Sequence, residues 1–302
     1  MSKSRQPRKQ SKQPRGTSNS SSPDPLTLAD TTATTAASRI RLELDRDNPA
    51  ALTVYVNDVP SSYIDTANPA NLGFEYLEVF RDIIEDRAPL AERFTHLGAA
   101  ACGFARAISA SRPTSTHIAI DIDGELMAHA RTWFALPRAP RLRLRTADAF
   151  AGLRALSDKS ADVIIRDVFA GATTPSALTT DEFYRTAIGK LRAGGLVLMN
   201  IGDRPPLTQT KREAATLLRE IGPHAWVGVA AETGVLKGRR YGNVVLAGQL
   251  DSGNDPAAPA LSRTLRSHAQ SVSLLTGSVL TDFIAGAQPI DAPAIHAVPA
   301  TP

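Results

Sequence analysis

Residues 96–123 hold the densest set of groups that could act together on one ligand. His96-Leu97-Gly98-Ala99-Ala100-Ala101-Cys102-Gly103 is a run of mostly small residues, and Asp121 ends the apolar segment His117-Ile118-Ala119-Ile120 further on. Small side chains let a backbone approach a ligand closely, and a helix beginning near Cys102 would aim its unpaired N–H groups at the same place. A carboxylate about 20 residues after such a turn is positioned to accept from ribose hydroxyls. The stretch therefore reads as a nucleotide-binding βαβ unit, with Gly98, Ala100 and Gly103 in the turn and Asp121 and Ile122 at the end of the second strand. An all-glycine turn would have Gly where this chain has Ala100 and Cys102.

Two further carboxylates follow apolar segments in the same way. Asp148 sits in Thr146-Ala147-Asp148-Ala149-Phe150, and Asp167 closes Ala161-Asp162-Val163-Ile164-Ile165-Arg166-Asp167. In open α/β sheets the ligand lies beyond the carboxyl ends of the strands, so acids there outrank acids elsewhere. Asp148 either accepts from an adenine amine, with the Ala149 N–H donating to a ring nitrogen, or caps a helix. Asp167 either faces the centre of the cleft or caps the loop behind it, and Asp123 reads as a cap. Three carboxylates close together are costly unless positive or hydrogen-donating groups lie among them. Cys102 reads as a small residue permitting close approach, and His96 and His117 lack metal-ligand spacing. The alternating Arg141, Arg143 and Arg145 read as a solvated strand face.

The elements that must position these residues follow from periodicity. Residues 40–65 alternate in twos around Asp47-Asn48-Pro49, which predicts a β-hairpin forming a small separate layer. Residues 74–86 place Phe74, Leu77, Phe80, Ile83 and Ile84 on one face of an amphipathic helix. Helices are expected at 124–134, 149–156 and 208–221. Another begins at the capping-box spacing of Thr179-Thr180-Asp181-Glu182 and stops at Gly194-Gly195. Strands are expected at 142–144, 161–167 and 196–201, then near 225–231 and 243–248 with no helix between the last two. Short helices are plausible near 258–270 and 279–285. Strand and helix alternating, then two strands in succession, predicts a doubly wound, mostly parallel α/β sheet with an antiparallel last strand.

The 302-residue chain has 42% hydrophobic and 21% charged residues, as expected of a globular protein. Its net charge of +4 is concentrated at one end. Lys3, Arg5, Arg8, Lys9, Lys12 and Arg15 precede any acid, and without these six the 34 basic residues fall to 28 against 30 acids. Residues 1–38 are rich in Ser, Thr, Pro and basic groups and are expected to be a disordered basic tail. The remaining division is a hairpin region at 39–72, a Rossmann-like domain at 73–250 and a C-terminal extension at 251–302 with a loose end. One cysteine excludes an internal disulfide and a cysteine-rich metal site. The absence of a long apolar run and of a secretory h-region fits a cytoplasmic protein without a membrane part.

Together these segments resemble the spermidine synthase family, which has the class I S-adenosylmethionine-dependent methyltransferase fold. The resemblance spans roughly residues 52–248. It rests on Val54-Tyr55-Val56-Asn57-Asp58-Val59, Phe74-Glu75-Tyr76-Leu77-Glu78, the small-residue turn, Asp121-Ile122-Asp123, Ala147-Asp148-Ala149, Asp162 through Asp167, Thr180-Asp181-Glu182-Phe183-Tyr184 and Leu191-Arg192-Ala193-Gly194-Gly195. The divergent bacterial members are the most similar. The resemblance implies that Gly98 to Gly103 hold the amino-acid or aminopropyl portion of the donor, Asp121 the ribose, and Asp148 with Ala149 the adenine. Asp167 would lie beside the sulfonium and Tyr76 on the acceptor side. The family's second strand-end aspartate is Ala170 here, and two family glutamines are Ser61 and Leu77.

The implied activity is transfer of an aminopropyl or methyl group, from decarboxylated S-adenosylmethionine or S-adenosylmethionine, to a small amine or metabolite, without a metal. One alternative is a non-catalytic nucleoside-binding scaffold. Another is a nucleic-acid-modifying methyltransferase with the basic tail as its arm, although a nucleic-acid partner is the less favoured expectation. Sheet edges in the N-terminal layer make a homodimer plausible.

Overall fold

The computed structural model describes residues 23–171, 173–251 and 258–293. The six basic residues of the expected tail, and the final part of the expected loose end, lie outside them. The chain begins with α1 (Pro25–Leu28), β1 (Thr32–Thr34), β2 (Arg39–Leu44), β3 (Ala51–Val56) and β4 (Val59–Asp65), and the four strands form an antiparallel sheet in sequence order. The expected hairpin is β2–β3, its turn held by Asp45 Oδ1, which accepts from the N–H groups of Asp47 and Asn48 at 2.8 and 2.9 Å.

Two expectations for this region need correction. Order begins well before residue 38, because β1 pairs with β2 through Thr32–Arg41 to Thr34–Arg39 and Leu28 is buried. Nor is the sheet a separate layer. Ile40, Leu42, Leu52, Val54 and Ile64 share one core with Ala101, Cys102, Ala105, Leu126 and Met127. Their alternation leaves one apolar face, and the nucleotide-type unit covers it.

The second sheet is built from α2 (Glu75–Arg87), β5 (Arg93–Leu97), α3 (Gly103–Ser111), β6 (Thr116–Asp121), α4 (Gly124–Trp133), β7 (Leu142–Thr146), α5 (Ala149–Arg154), β8 (Ala161–Arg166), α6 (Asp181–Lys190), β9 (Leu191–Asp203), α7 (Thr208–Ile221), β10 (Trp226–Glu232), α8 (Thr233–Leu236), β11 (Gly242–Gln249), α9 (Pro259–Arg266), β12 (Val272–Thr276) and α10 (Gly277–Phe283). Its strand order is β12-β10-β11-β9-β8-β5-β6-β7. Strands β7, β6, β5, β8 and β9 run parallel, and β11 is antiparallel to both β9 and β10. This is the doubly wound, mostly parallel architecture expected. Beyond it β12 adds an antiparallel edge that the Ser- and Leu-containing segment did not announce. A one-turn helix, α8, also intervenes between β10 and β11.

The central strands are apolar because both faces are covered. In β8, Val163, Ile164 and Ile165 are each 2% exposed or less, with one helical layer on each side. Helix α2 buries Leu77, Phe80, Ile83 and Ile84 of the expected stripe, whereas Phe74 lies half-buried at its N-cap. Helix α6 is capped by Thr180 Oγ1, which accepts from Phe183 N at 3.4 Å, one residue later than the capping-box spacing placed it. It stops at Lys190 and not at Gly194-Gly195. The two glycines lie inside β9, where the pairing jumps from Ala161–Leu191 to Val163–Leu196. Gly194 has φ +72°, and a Cβ on Gly195 would meet Arg192 O at 2.7 Å, so the pair makes a bulge rather than a helix end.

Candidate active site

The turn after β5 is held open in a left-handed conformation. Gly98 has φ +77°, and a Cβ there would come within 2.2 Å of the Asp167 carbonyl oxygen, so glycine is required for the turn to lie against the end of β8. Ala100 and Cys102 also have positive φ, 43° and 60°, where the steric cost is roughly 1–2 kcal/mol per residue. Local bonds hold them there. Ala100 N donates to Asp121 Oδ2 at 2.8 Å, and Ala101 N donates to Ser62 Oγ of β4 at 3.2 Å. The N-terminal sheet thus buttresses the turn. Gly103 begins α3, and a Cβ there would come within 3.0 Å of Tyr63 O, so its small size serves that packing. Burial, with the nearby Asp121, pushes the Cys102 thiol up to about 12, which leaves it un-ionised as a packing residue.

The strand-end carboxylates differ in what holds them. Asp121 accepts from Ala100 N and, on Oδ1, from Asp123 N at 2.9 Å. Beside it Ile122 is 70% exposed, an apolar side chain presented to solvent at the carboxyl end of β6. Asp148 is exposed and caps α5, with Oδ1 accepting from Phe150 N at 3.0 Å and Ala151 N at 2.9 Å. The capping alternative is therefore realised, with Oδ2 outside those bonds. Asp123 is a cap as expected, accepting from Leu126 N at 2.9 Å, and its Oδ2 also takes the hydroxyls of Thr35 and Ser38. Burial opposes ionisation of Asp123, but the Ser38 and Thr35 bonds outweigh it and hold its carboxyl below the usual range.

Asp167 is held by side chains alone. Tyr76 donates its hydroxyl to Oδ2 at 2.9 Å, and Asn200 Nδ2 donates to Oδ1 at 3.0 Å. Burial pushes the carboxyl above its ordinary value despite both bonds, and burial together with Asp167 pushes the Tyr76 hydroxyl well above its own. Asn200 is 1% exposed, and its Oδ1 has no partner among the described residues. Sequence reading missed Asn200. Its signal was a lone amide in the buried run Leu196-Val197-Leu198-Met199-Asn200-Ile201.

Beneath the site lies a buried ion pair that no local pattern announced. Arg166 Nη1 donates to Glu213 Oε2 at 2.5 Å and to Leu178 O at 2.6 Å, and both charged side chains are 0% exposed. Tyr184 donates to the same Oε2 at 2.6 Å and Gln209 to Oε1 at 2.9 Å. Arg166 directly precedes Asp167, so the network fixes the end of β8 from below.

Other expected positions have structural roles. His96 Nε2 and His117 Nδ1 pair at 3.0 Å in the core, stacked with Phe94. Arg141, Arg143 and Arg145 are exposed. Leu77 is buried in the core, Ser61 donates to Val59 O at 2.9 Å, and Ala170 is an exposed residue bridged to Thr173. Among the described residues no group of three His, Cys, Asp or Glu side chains is placed to hold a metal, and no helix is long and apolar enough to cross a membrane.

Comparison with known proteins adds the lineage. No protein-family profile matches the chain. Polyamine aminopropyltransferases of Neisseria meningitidis serogroups A and B are 26% identical over 145 residues, 48% of this chain and 55% of theirs. The chain thus spans about half the length of the curated relatives it matches. The spermidine synthase of Thermotoga maritima, 16% identical with a TM-score of 0.55 over 84% of this chain and 83% of that one, shares the fold. A probable spermidine synthase of Corynebacterium glutamicum is 34% identical with a TM-score of 0.80, over 90% of this chain and 99% of that one. With that extent of shared sequence and the same strand-end architecture, the chain belongs to the spermidine synthase-like family of the class I methyltransferase fold.

Proposed function

We propose that the chain transfers an aminopropyl or methyl group from decarboxylated S-adenosylmethionine or S-adenosylmethionine to a small amine or related metabolite. The observation that carries the reading is Asp167, set at the carboxyl end of β8 against the Gly98 turn and fixed by Tyr76 and Asn200. The surrounding residues fit such a donor. Gly98 lets the turn lie against the end of β8, Asp121 retains lone pairs for a ribose diol beyond its two backbone bonds, and Ile122 offers an apolar surface for a purine.

When bound, the donor supplies a carbon attached to positively charged sulfur, which a nucleophile attacks. The chain aligns the two reactants and manages one proton. Tyr76 and Asn200 fix the plane of the Asp167 carboxylate, which orients the incoming amine and accepts the proton it sheds. A carboxyl raised by burial is a better proton acceptor than an exposed one, and the partly enclosed position limits competition from water. The unpartnered Asn200 Oδ1 is available to accept from an amine N–H.

The first test is calorimetric titration of the full chain with S-adenosylmethionine, decarboxylated S-adenosylmethionine and methylthioadenosine. Binding is expected, and the tighter of the two sulfonium donors identifies the group transferred. Asp167→Asn should lower turnover by about 10²- to 10⁴-fold while methylthioadenosine still binds. Binding of none of the three compounds would refute the reading. A second reading, nucleoside binding without turnover, is favoured by Ala170 standing where the family has its other aspartate. Turnover abolished by Asp167→Asn would rule it out.

A further inference from the structure

The strand that ends at Asp167 carries a charge where its other inner residues are apolar. In Val163-Ile164-Ile165-Arg166 the arginine is fully buried, and consecutive side chains of a strand point to opposite faces, so it turns away from the site into the layer of α6 and α7. There Glu213 of α7 accepts from its Nη1 at 2.5 Å, and Tyr184 of α6 and Gln209 of α7 donate to the same carboxylate. Burial works against the guanidinium, but Glu213 and Tyr184 outweigh it, so Arg166 stays charged. The same Nη1 donates to Leu178 O at 2.6 Å, at the far end of the connection that leaves β8 through Asp167. Nη2 makes a long contact of 3.5 Å with the carbonyl of Asn200, whose side chain holds Asp167. Stability alone does not call for this arrangement, because apolar residues of similar volume often close a buried layer as well as an ion pair does, or better.

We infer that Arg166 is a positioning residue for Asp167, tying the end of β8 to α6, α7 and the Leu178 turn and setting a fixed positive charge beside the carboxylate from the opposite face of the sheet. The inference rests on the amine-transfer reading above, in which Asp167 accepts the proton. The other groups around Asp167 are Tyr76, with Glu75 beside it, from α2 and Asn200 from β9, and residues 98–103 of the turn bring no charged side chain. Arg166 is therefore the positive member of that set. Burial raises the Asp167 carboxyl, and the Asn200 bond, the Tyr76 bond and the Arg166 charge each oppose the rise. Held in this way, the group keeps the negative charge that draws in an amine while remaining a better proton acceptor than an exposed aspartate.

The test uses two neutral replacements in the full chain, Arg166→Met with Glu213→Leu and Arg166→Gln with Glu213→Gln, neither of which leaves a lone buried charge. A thermal melt shows which of them fold. The Asp167 carboxyl is followed by carboxyl-carbon NMR of aspartate-labelled protein, its signal assigned by its absence from Asp167→Asn. In a folded neutral variant its midpoint should move to higher pH, because the opposing charge is gone. A merely structural role predicts the reverse, since a loosened layer admits water and lets the carboxyl ionise more easily. Methylthioadenosine binding should be unchanged in calorimetry. Turnover of 1,4-diaminobutane with the tighter-binding sulfonium donor should fall roughly ten- to a hundredfold. A midpoint that stays or falls, or turnover equal to that of the unaltered chain, overturns the inference. So does failure of both neutral pairs to fold, because the charges would then be a requirement of the fold itself. If the unaltered chain binds no methylthioadenosine or turns over no diaminobutane, the fault lies with the amine-transfer reading, and the titration, which needs neither compound, still decides whether Arg166 acts on Asp167.

Discussion

The buried Arg166–Glu213 pair gives the sharpest stability prediction. In Glu213→Gln the shape is kept, so no cavity forms, but the carboxylate that accepts from Arg166, Tyr184 and Gln209 becomes an amide with one acceptor oxygen. Arg166 retains Leu178 O at 2.6 Å, yet its guanidinium is 0% exposed and loses its counter-charge. Among the described residues the Nε atom of Arg166 lacks a partner, and Nη2 reaches Asn200 O at 3.5 Å, a long bond that does not replace the lost carboxylate. Removing one member of a buried pair costs roughly 3–5 kcal/mol. At ~2–4 °C per kcal/mol for a domain of this class, the melting temperature should drop by roughly 6–20 °C. Urea denaturation followed by tryptophan fluorescence reads the change directly. The double variant Arg166→Met with Glu213→Leu should recover most of the loss, because the desolvation cost vanishes along with the attraction. A Glu213→Gln loss below about 1 kcal/mol, or a double variant as unstable as the single one, would refute the electrostatic account.

At the Gly98 turn two substitutions should act in opposite directions. Gly98→Ala puts a Cβ 2.2 Å from Asp167 O at φ +77°, so methylthioadenosine binding should be lost in calorimetry even where the fold survives. Ala100→Gly relieves a strained φ of 43° and should stabilise by about 0.5–1 kcal/mol in the same urea assay. The histidine pair sets an acid limit. Burial, then Arg141, lowers His117 to about 4, and burial lowers His96 well below its ordinary value. The unfolded chain therefore binds these protons first as pH falls. Stability should rise between about pH 4 and 6.5, with His117 alone contributing up to roughly 3 kcal/mol. Unfolding curves that superimpose at pH 4.5 and 6.5 would show that these rings are not held neutral by the fold.

What the sequence made legible divides by the range of the interaction. Helix α7 matches its expected span at 208–221, and the face of α2 was readable because both depend on residues three and four apart. The Gly194-Gly195 pair was ambiguous, since a positive φ serves a helix end and a bulge equally, and only the pairing of β9 with β8 decides between them. Arg166 and Glu213 lie 47 positions apart, so their union exists only in the folded sheet. The strand-end acids make the distinction most useful for function. Clustering three carboxylates requires donors, and for Asp121 and Asp148 these are backbone N–H groups supplied by the turn and by the start of α5. Such bonds follow from strand-turn-helix connectivity itself and are served by any well-placed Asp. Asp167 receives no such help. Its partners are the side chains of Tyr76 and Asn200, brought from 91 and 33 positions away. The fold does not need them to close a turn or start a helix, and burial outweighs both bonds, so this carboxyl takes a proton more readily than an ordinary aspartate. We therefore propose that Asp121 and Asp148 hold the donor and that Asp167 serves the reaction.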